Sequence, residues 1–202
     1  MPVRRLLPTA LAALTLTACS PDAPLADAPA APSPGTPAPV AAAAPPPELG
    51  DFDPEGDFEV FNPCTEIPAE VRAAAGLGEP VRDTAYDGDR SVRCSFYLVD
   101  SSLAGFFSLT GDKVPFSRIE ERGLLLSANA ESAVQDVYLH HMGLGAENDC
   151  SAAAHTDRGR FIVQYTEISS TQGREKLCAL AVDKLEDIYH HWGENNGDVD
   201  QS

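Results

Sequence analysis

The sequence predicts an α+β fold: an antiparallel sheet with an N-terminal and a C-terminal helix packed on it, braced by two disulfides. Three observations carry this expectation. Alternating apolar positions come in runs through the middle of the chain, helical spacing appears at both ends of that stretch, and cysteines punctuate it at 64, 94, 150 and 178. Strands in runs with helices at the ends favour a segregated α+β architecture over alternating βαβ units.

In chain order, residues 63–78 read as a helix start, with Thr65 as cap and Pro68 in the first turn, where a missing N–H is tolerated. Ile67, Val71, Ala74 and Ala75 form its apolar stripe, and Gly76 and Gly78 end it. Asp87-Gly88 is a turn dipeptide, after which Val92, Cys94, Phe96 and Leu98 alternate with Arg93, Ser95 and Tyr97. Residues 106–110 read as the next strand. Residues 115–127 carry Phe116, Ile119 and Gly123 at helical spacing. Residues 137–142, 150–155 and 160–168 read as three further strands, the last two joined at Asp157-Arg158-Gly159. Residues 173–192 give the clearest helix, with Cys178, Ala181, Val182, Leu185, Ile188, Tyr189 and Trp192 repeating at three and four.

Around this domain, assigned to 58–193, lie three segments of different composition. Residues 1–18 have the form of an export leader: Arg4 and Arg5 precede a short apolar stretch, which closes on Leu16-Thr17-Ala18-Cys19. Small residues at 17 and 18 suit a signal peptidase, and the Cys19 thiol would accept a diacylglycerol, anchoring the chain through buried acyl methylenes. An ordinary secretory leader with a chance cysteine is the alternative. Residues 19–57 read as the lipidated cysteine and a disordered tether. Between Ser20 and Gly50, 20 of 31 residues are Pro or Ala, too little to repay the entropy of ordering. As a 38-residue tether it would reach between about 35 Å as a coil and about 115 Å as polyproline. Asp51, Asp53, Glu55, Asp57 and Glu59 recur at every second position and read as a solvated acidic spacer. A calcium loop is disfavoured there, because Asn62 stands where a bidentate Glu is required and Pro54 interrupts the loop. Residues 194–202 read as a disordered polar tail.

The chain carries 14 Lys and Arg against 31 Asp and Glu, a net charge of −17, which becomes −19 once Arg4 and Arg5 leave with the leader. That balance disfavours nucleic acid and a polybasic membrane-surface patch. No apolar run is long enough to span a bilayer. The expected location is therefore the extracytoplasmic face of a cell membrane, lipid-anchored at Cys19.

With Cys19 acylated, an even set of four cysteines in an exported chain reads as two disulfides. Three connectivities are possible. Cys64–Cys94 and Cys150–Cys178 are favoured because each would tie a helix to a neighbouring strand across a similar short loop. No Cys-x-x-Cys is present, and the cysteine spacings suit no zinc knuckle.

Asn62-Pro63-Cys64 ahead of a helix ending Gly76-Leu77-Gly78, then Cys94-Ser95-Phe96, Gly143 and Gly145 before Cys150, and Cys178 in a terminal helix together resemble a family of actinobacterial envelope lipoproteins of unknown function. The resemblance implies a lipobox, a low-complexity tether and a small four-cysteine domain. Phe96 stands where that pattern has Trp. The resemblance implies no catalytic residues.

Motifs that carry chemistry are few. His140-His141 and His190-His191 are adjacent pairs, so neither chelates locally. A metal would need His141 and His155 from neighbouring strands plus a carboxylate; none is expected, nor any cofactor, since the phosphate-cradling glycine patterns are missing. There is no Gly-x-Ser-x-Gly elbow. Arg118/Arg122 and Arg158/Arg160 could grip an anion but suit surface ion pairs better. The reading that follows is a tethered, non-catalytic binding module for an envelope protein, lipid or wall component. His155, Arg158 and Arg160 are its candidate exposed recognition edge. A cryptic envelope hydrolase or metal-dependent enzyme and an accessory subunit are the alternatives.

Overall fold

Alternation at period two builds the sheet, and each face of it meets a different partner. The computed structural model describes residues 44–81, 84–99, 104–143, 147–168 and 172–197, the side chains of 194–197 excepted. The leader, Cys19, the tether as far as residue 43, Gly145 and the tail from residue 198 lie outside the described residues. All the described residues fall in one unit, Ala41–Ser202.

The order is α1 (Ala69–Ala74), β1 (Leu77–Pro80), β2 (Ala85–Asp87), β3 (Ser91–Leu98), β4 (Gly105–Asp112), α2 (Phe116–Glu121), β5 (Leu125–Ser127), β6 (Tyr138–His140), β7 (Asp149–Thr156), β8 (Gly159–Glu167) and α3 (Arg174–Gly197). The strands form one antiparallel sheet ordered β1-β3-β4-β8-β7-β6-β5, with β2 beside β1 on the outer edge of β3. The fold is α+β, as expected. Among the described residues no helix is long and apolar enough to cross a membrane.

One face of the sheet is the main core. Cys94 and Phe96 of β3, Phe107 and Leu109 of β4, Phe161, Val163 and Tyr165 of β8, and Cys150, Ala152 and Ala154 of β7 are buried there. They meet the stripe of α3, Leu177, Ala181, Leu185, Ile188 and Trp192, together with Val71 of α1 and Ala75 just after it. The run of alanines on β7 lets α3 lie close to the sheet, and Cys150–Cys178 bonds the two elements with Cα atoms 4.9 Å apart. Cys64–Cys94, at 5.7 Å, bonds the turn before α1 to β3. The pairing is the favoured one. A Cβ on Gly111 would collide with the Phe61 carbonyl, so glycine is needed where that segment crosses β4.

Four expectations need correction. The first helix begins at Ala69, and Thr65 is not its cap. Asn62 instead closes a turn: its side chain accepts the Cys64 N–H at 3.1 Å, and Glu66 accepts the Asn62 N–H at 2.8 Å. Ile67, preceding Pro68, is sterically turned away from helix. The helix expected over 115–127 stops at Glu121. Gly123, at φ 64°, donates to the Glu120 carbonyl, and Leu124 donates to that of Ile119, a left-handed glycine cap that frees 125–127 to form β5. The last helix runs past Trp192 to Gly197, so the first four residues assigned to the tail are helical.

The fourth concerns the tether. Its last part is a strap on the domain rather than a free spacer. Trp192 Nε1 donates to the Ala44 carbonyl at 2.7 Å, the Asp157 N–H to Glu48, and Gly50 to His155, with Leu49 bridging Thr156. The β6 pairing on β7 ends at Ala153, which leaves this edge of β7 open for the strap. Along 51–59 the acids are exposed, while Phe52, Pro54, Gly56 and Phe58 between them are half-buried. The period-two acids are the outer side of an extended segment whose inner side packs.

Candidate functional site

The recognition edge expected at His155, Arg158 and Arg160 is not an exposed edge. Asp112 lies directly opposite Arg160 on neighbouring strands, facing away from the main core. Arg160 Nε and Nη2 donate to the two Asp112 carboxylate oxygens at 2.7 and 2.6 Å, and Nη1 donates to the Tyr138 hydroxyl at 3.0 Å. Arg160 is only 3% exposed. Burial disfavours its charge, but the Asp112 hydrogen bonds and negative charge outweigh that and raise its pKa. Arg158 is clamped by Glu66 at 2.6 and 2.9 Å and donates to the Glu59 carbonyl. These arginines tie strands and turns together; neither offers a free fork to an anion.

His155 stands differently. Its Nδ1 lies 3.2 Å from Asp51 of the strap, and its Nε2 is buried with no partner. Phe52, Tyr138 and Phe116 surround its ring at centroid distances of 5.3, 5.6 and 6.4 Å. Phe116 and Tyr138 pack edge to face at 4.9 Å. A cavity of about 480 Å³ opens here, walled by Leu49, Asp51, Phe116, Asp136, Tyr138 and His155 among others. Asp136 holds a left-handed backbone, φ 54°, in the connection between β5 and β6.

A second cavity, of about 750 Å³, shares Leu49 and Gln135 with the first and continues along α3 past Glu186, Asp187, Tyr189 and His190. Glu186 accepts the Ala133 N–H at 2.6 Å, pinning the connection to the helix. Four acids, Asp51, Asp136, Glu186 and Asp187, line the groove these two adjoining cavities make; no Lys or Arg lines it, though Lys184 beside it pairs with Asp187 at 2.9 Å. Sequence reasoning reached His155 but missed the rest, because the walls come from the strap, α2, the β5–β6 connection and α3. The period-two acids with Phe52 and Phe58 between them were the one local signal.

The face of the sheet away from the main core is divided: Tyr138, Ala153 and Ile162 pack with Ile119 of α2 in a second apolar cluster, and a polar row runs beside them. Ser95, Ser108, Gln164, Ser151 and His140 stand in cross-strand register over five strands. Ser95 and Ser108 share a 2.7 Å hydrogen bond, and Gln164 donates to Asp149 at 2.9 Å. His140 is buried, its Nε2 has no partner, and burial followed by repulsion from Arg160 lowers its pKa to about 4. Ser151, His140 and Asp149 share this face but form no relay. Asp149 accepts from Met142 and Gln164, His140 Nδ1 faces the His141 carbonyl, and Ser151 is fully buried. His141 accepts the Gly143 N–H and does not join His155. Among the described residues no group of His, Cys, Asp and Glu is arranged to hold a metal.

Fold and site together define a disulfide-braced α+β domain, strapped at its N-terminal side, with an acid-lined groove at one end of the sheet. The chain belongs to the DUF3558 family, proteins of unknown function, whose profile matches residues 14–191. No curated protein and no solved structure matches it.

Proposed function

We propose that this chain is a lipoprotein of an actinobacterial-type envelope, anchored through Cys19 on the extracytoplasmic face of the cell membrane. It displays a non-catalytic domain that binds a basic partner in the same envelope. The observation that carries the binding reading is the groove running from His155 to α3, with four acids and no Lys or Arg in its walls; among the described residues Asp187 alone of the four is paired with a lysine, Lys184. Aromatic and aliphatic side chains supply its contact surface, and the carboxylates select against anions. The anchoring reading rests on the Leu16-Thr17-Ala18-Cys19 run and the Ala/Pro-rich stretch after it. The strap is tied to the domain from Ala44 onward, so the anchor at Cys19 would hold the domain within a shell set by the residues between them. Confinement to that shell raises the effective concentration of the domain for any partner in the membrane or wall, so modest intrinsic affinity suffices.

The test is capture from native membranes of the parent organism, comparing the wild-type chain with the charge reversal Glu186→Lys/Asp187→Lys. A basic partner should be retained by the first, lost by the second, and released as salt rises. Turnover of an envelope substrate by the purified chain, abolished by one His or Asp substitution, would replace this reading with an enzymatic one. Detergent partitioning of wild type against Cys19→Ala tests the anchor, and an unmodified mature N-terminus away from Cys19 would refute it.

A further inference from the structure

We infer that the recess in the polar part of the sheet face, at Ser95, Ser108 and Gln164, is a binding site for a single pyranose ring of a neutral sugar. This goes beyond the binding reading above and does not rest on it, since the recess shares no wall with the acid-lined groove. Its volume is about 290 Å³, and its walls are chiefly Arg93 and Ser95 of β3, Phe106 and Ser108 of β4, and Gln164 and Thr166 of β8. No helix contributes a wall; α2 packs instead on the Tyr138 and Ile162 part of the same face. The volume lies at the lower end of the about 300–1,000 Å³ usual for small-molecule pockets, which suits one ring rather than a chain. Unlike the groove, the recess is lined by a cation and by no carboxylate.

Its walls hold hydrogen-bonding capacity that the sheet leaves unspent. Ser95 and Ser108 share one 2.7 Å hydrogen bond, so one hydroxyl donates to the other and the second O–H hydrogen is left over, with lone pairs on both oxygens. Gln164 donates an amide N–H to Asp149 at 2.9 Å, and the same carboxylate oxygen accepts the Met142 N–H. An acceptor already taking a backbone N–H faces the nitrogen of the amide, so the orientation of Gln164 is set and its carbonyl is the other end. That carbonyl accepts from nothing among the described residues, on a side chain only 7% exposed that lines the recess. Arg93, whose Nε donates to Thr110 at 3.0 Å, and the Thr166 hydroxyl complete the polar set. The set mixes donors with an acceptor, and that mixture selects the ligand. An anion cannot satisfy the Gln164 carbonyl, and an ammonium cannot satisfy the serine O–H or the guanidinium. A sugar hydroxyl does both, and a pyranose carries several on one ring. The ring's C–H surface meets Phe106, and Tyr97, directly opposite Phe106 and half exposed, extends that aromatic shelf. A peptide is less suited, because main-chain recognition needs a free strand edge, and β3, β4 and β8 are each paired on both sides.

The experiment uses the full chain, ¹⁵N-labelled throughout and ¹³C-labelled in Phe, in a polyoxyethylene detergent, which has no sugar headgroup. It is titrated separately with the methyl glycosides of glucose, galactose, mannose and N-acetylglucosamine. Tetrahydropyran (the ring without hydroxyls), sodium acetate and N-acetyl-trialanine amide are titrated in parallel. At least one glycoside should give saturable shifts at the Gln164 side-chain amide and the Phe106 ring, and the three other compounds should give none. Ser95→Ala/Ser108→Ala removes both partners of one hydrogen bond and leaves neither unpaired; it should weaken that glycoside about tenfold, and Thr166→Val about threefold. Glu186→Lys/Asp187→Lys should leave glycoside affinity unchanged. The Trp192 indole N–H signal of the main core should keep its position in each variant and report that it is folded. No saturable shift with any glycoside, equal or tighter binding of tetrahydropyran, acetate or the peptide amide, or affinity indifferent to both hydroxyl-removing variants would each overturn the assignment. The groove reading stands or falls separately, on the capture experiment alone.

Discussion

His140 makes the stability of this domain depend on pH in a way that one substitution can isolate. The ring is buried on the polar face, with an unpartnered Nε2 and the Arg160 guanidinium nearby, so protonation in the folded state is suppressed to about pH 4. In the unfolded chain the same group protonates near 6.5. As pH falls through 6.5 the unfolded state takes up a proton that the folded state refuses, so stability is lost between 6.5 and 4 and levels off below. The full difference, about 2.5 pH units, corresponds to about 3 kcal/mol, most of which is lost between pH 7.5 and pH 4.5. His140→Leu removes the titration while keeping an apolar group at the site. Urea unfolding of both proteins at pH 7.5, 6.5, 5.5 and 4.5 reads the effect as a difference of differences, which cancels distant carboxylates. The wild type should lose about 2–3 kcal/mol more than the variant across the range. Parallel curves would refute the reasoning, showing that the ring is hydrated or finds a partner.

Other outcomes follow from the same packing. Asp112→Asn leaves the Arg160 guanidinium buried without its counter-charge and should cost about 3–5 kcal/mol in chemical denaturation, whereas a loss under about 1 would show the site open to water. Cys178→Ser opens a loop of about 30 residues and should cost about 3.6 kcal/mol by the chain-entropy estimate, with Cys150 becoming reactive to thiol reagents only on unfolding, since it is fully buried. Gly50→Pro, which removes the strap N–H that donates to the His155 carbonyl, should accelerate proteolysis and amide exchange over 44–52 while leaving β4 and β8 protected. Unchanged strap protection would mean that side-chain packing alone holds the segment.

What the residues determine locally was legible in advance. The turn at Asp157-Arg158-Gly159, the alternation of β3 and the stripe of α3 are periodic signals carried within one element, and they match the structure. The even cysteine count predicted two bridges; the close approach of β7 to α3, and of the Asn62 turn to β3, decided which of three pairings forms. Wherever the deciding contact is distant in sequence, local reading failed. Arg160 looked like a surface charge because its partner, Asp112, lies 48 residues away and meets it only through strand register. The acidic spacer looked solvated because charge dominates composition, while Phe52 and Phe58 find their partners only once β7 presents an edge that β6 is too short to cover. Helical spacing carried the α2 reading past Gly123, whose left-handed turn let 125–127 pair with β6. His155 was singled out for its place beside the turn, but its cavity draws walls from residues 49 to 155. Periodicity is a property of neighbouring residues, whereas a site is a property of register and packing, which only the closed sheet supplies.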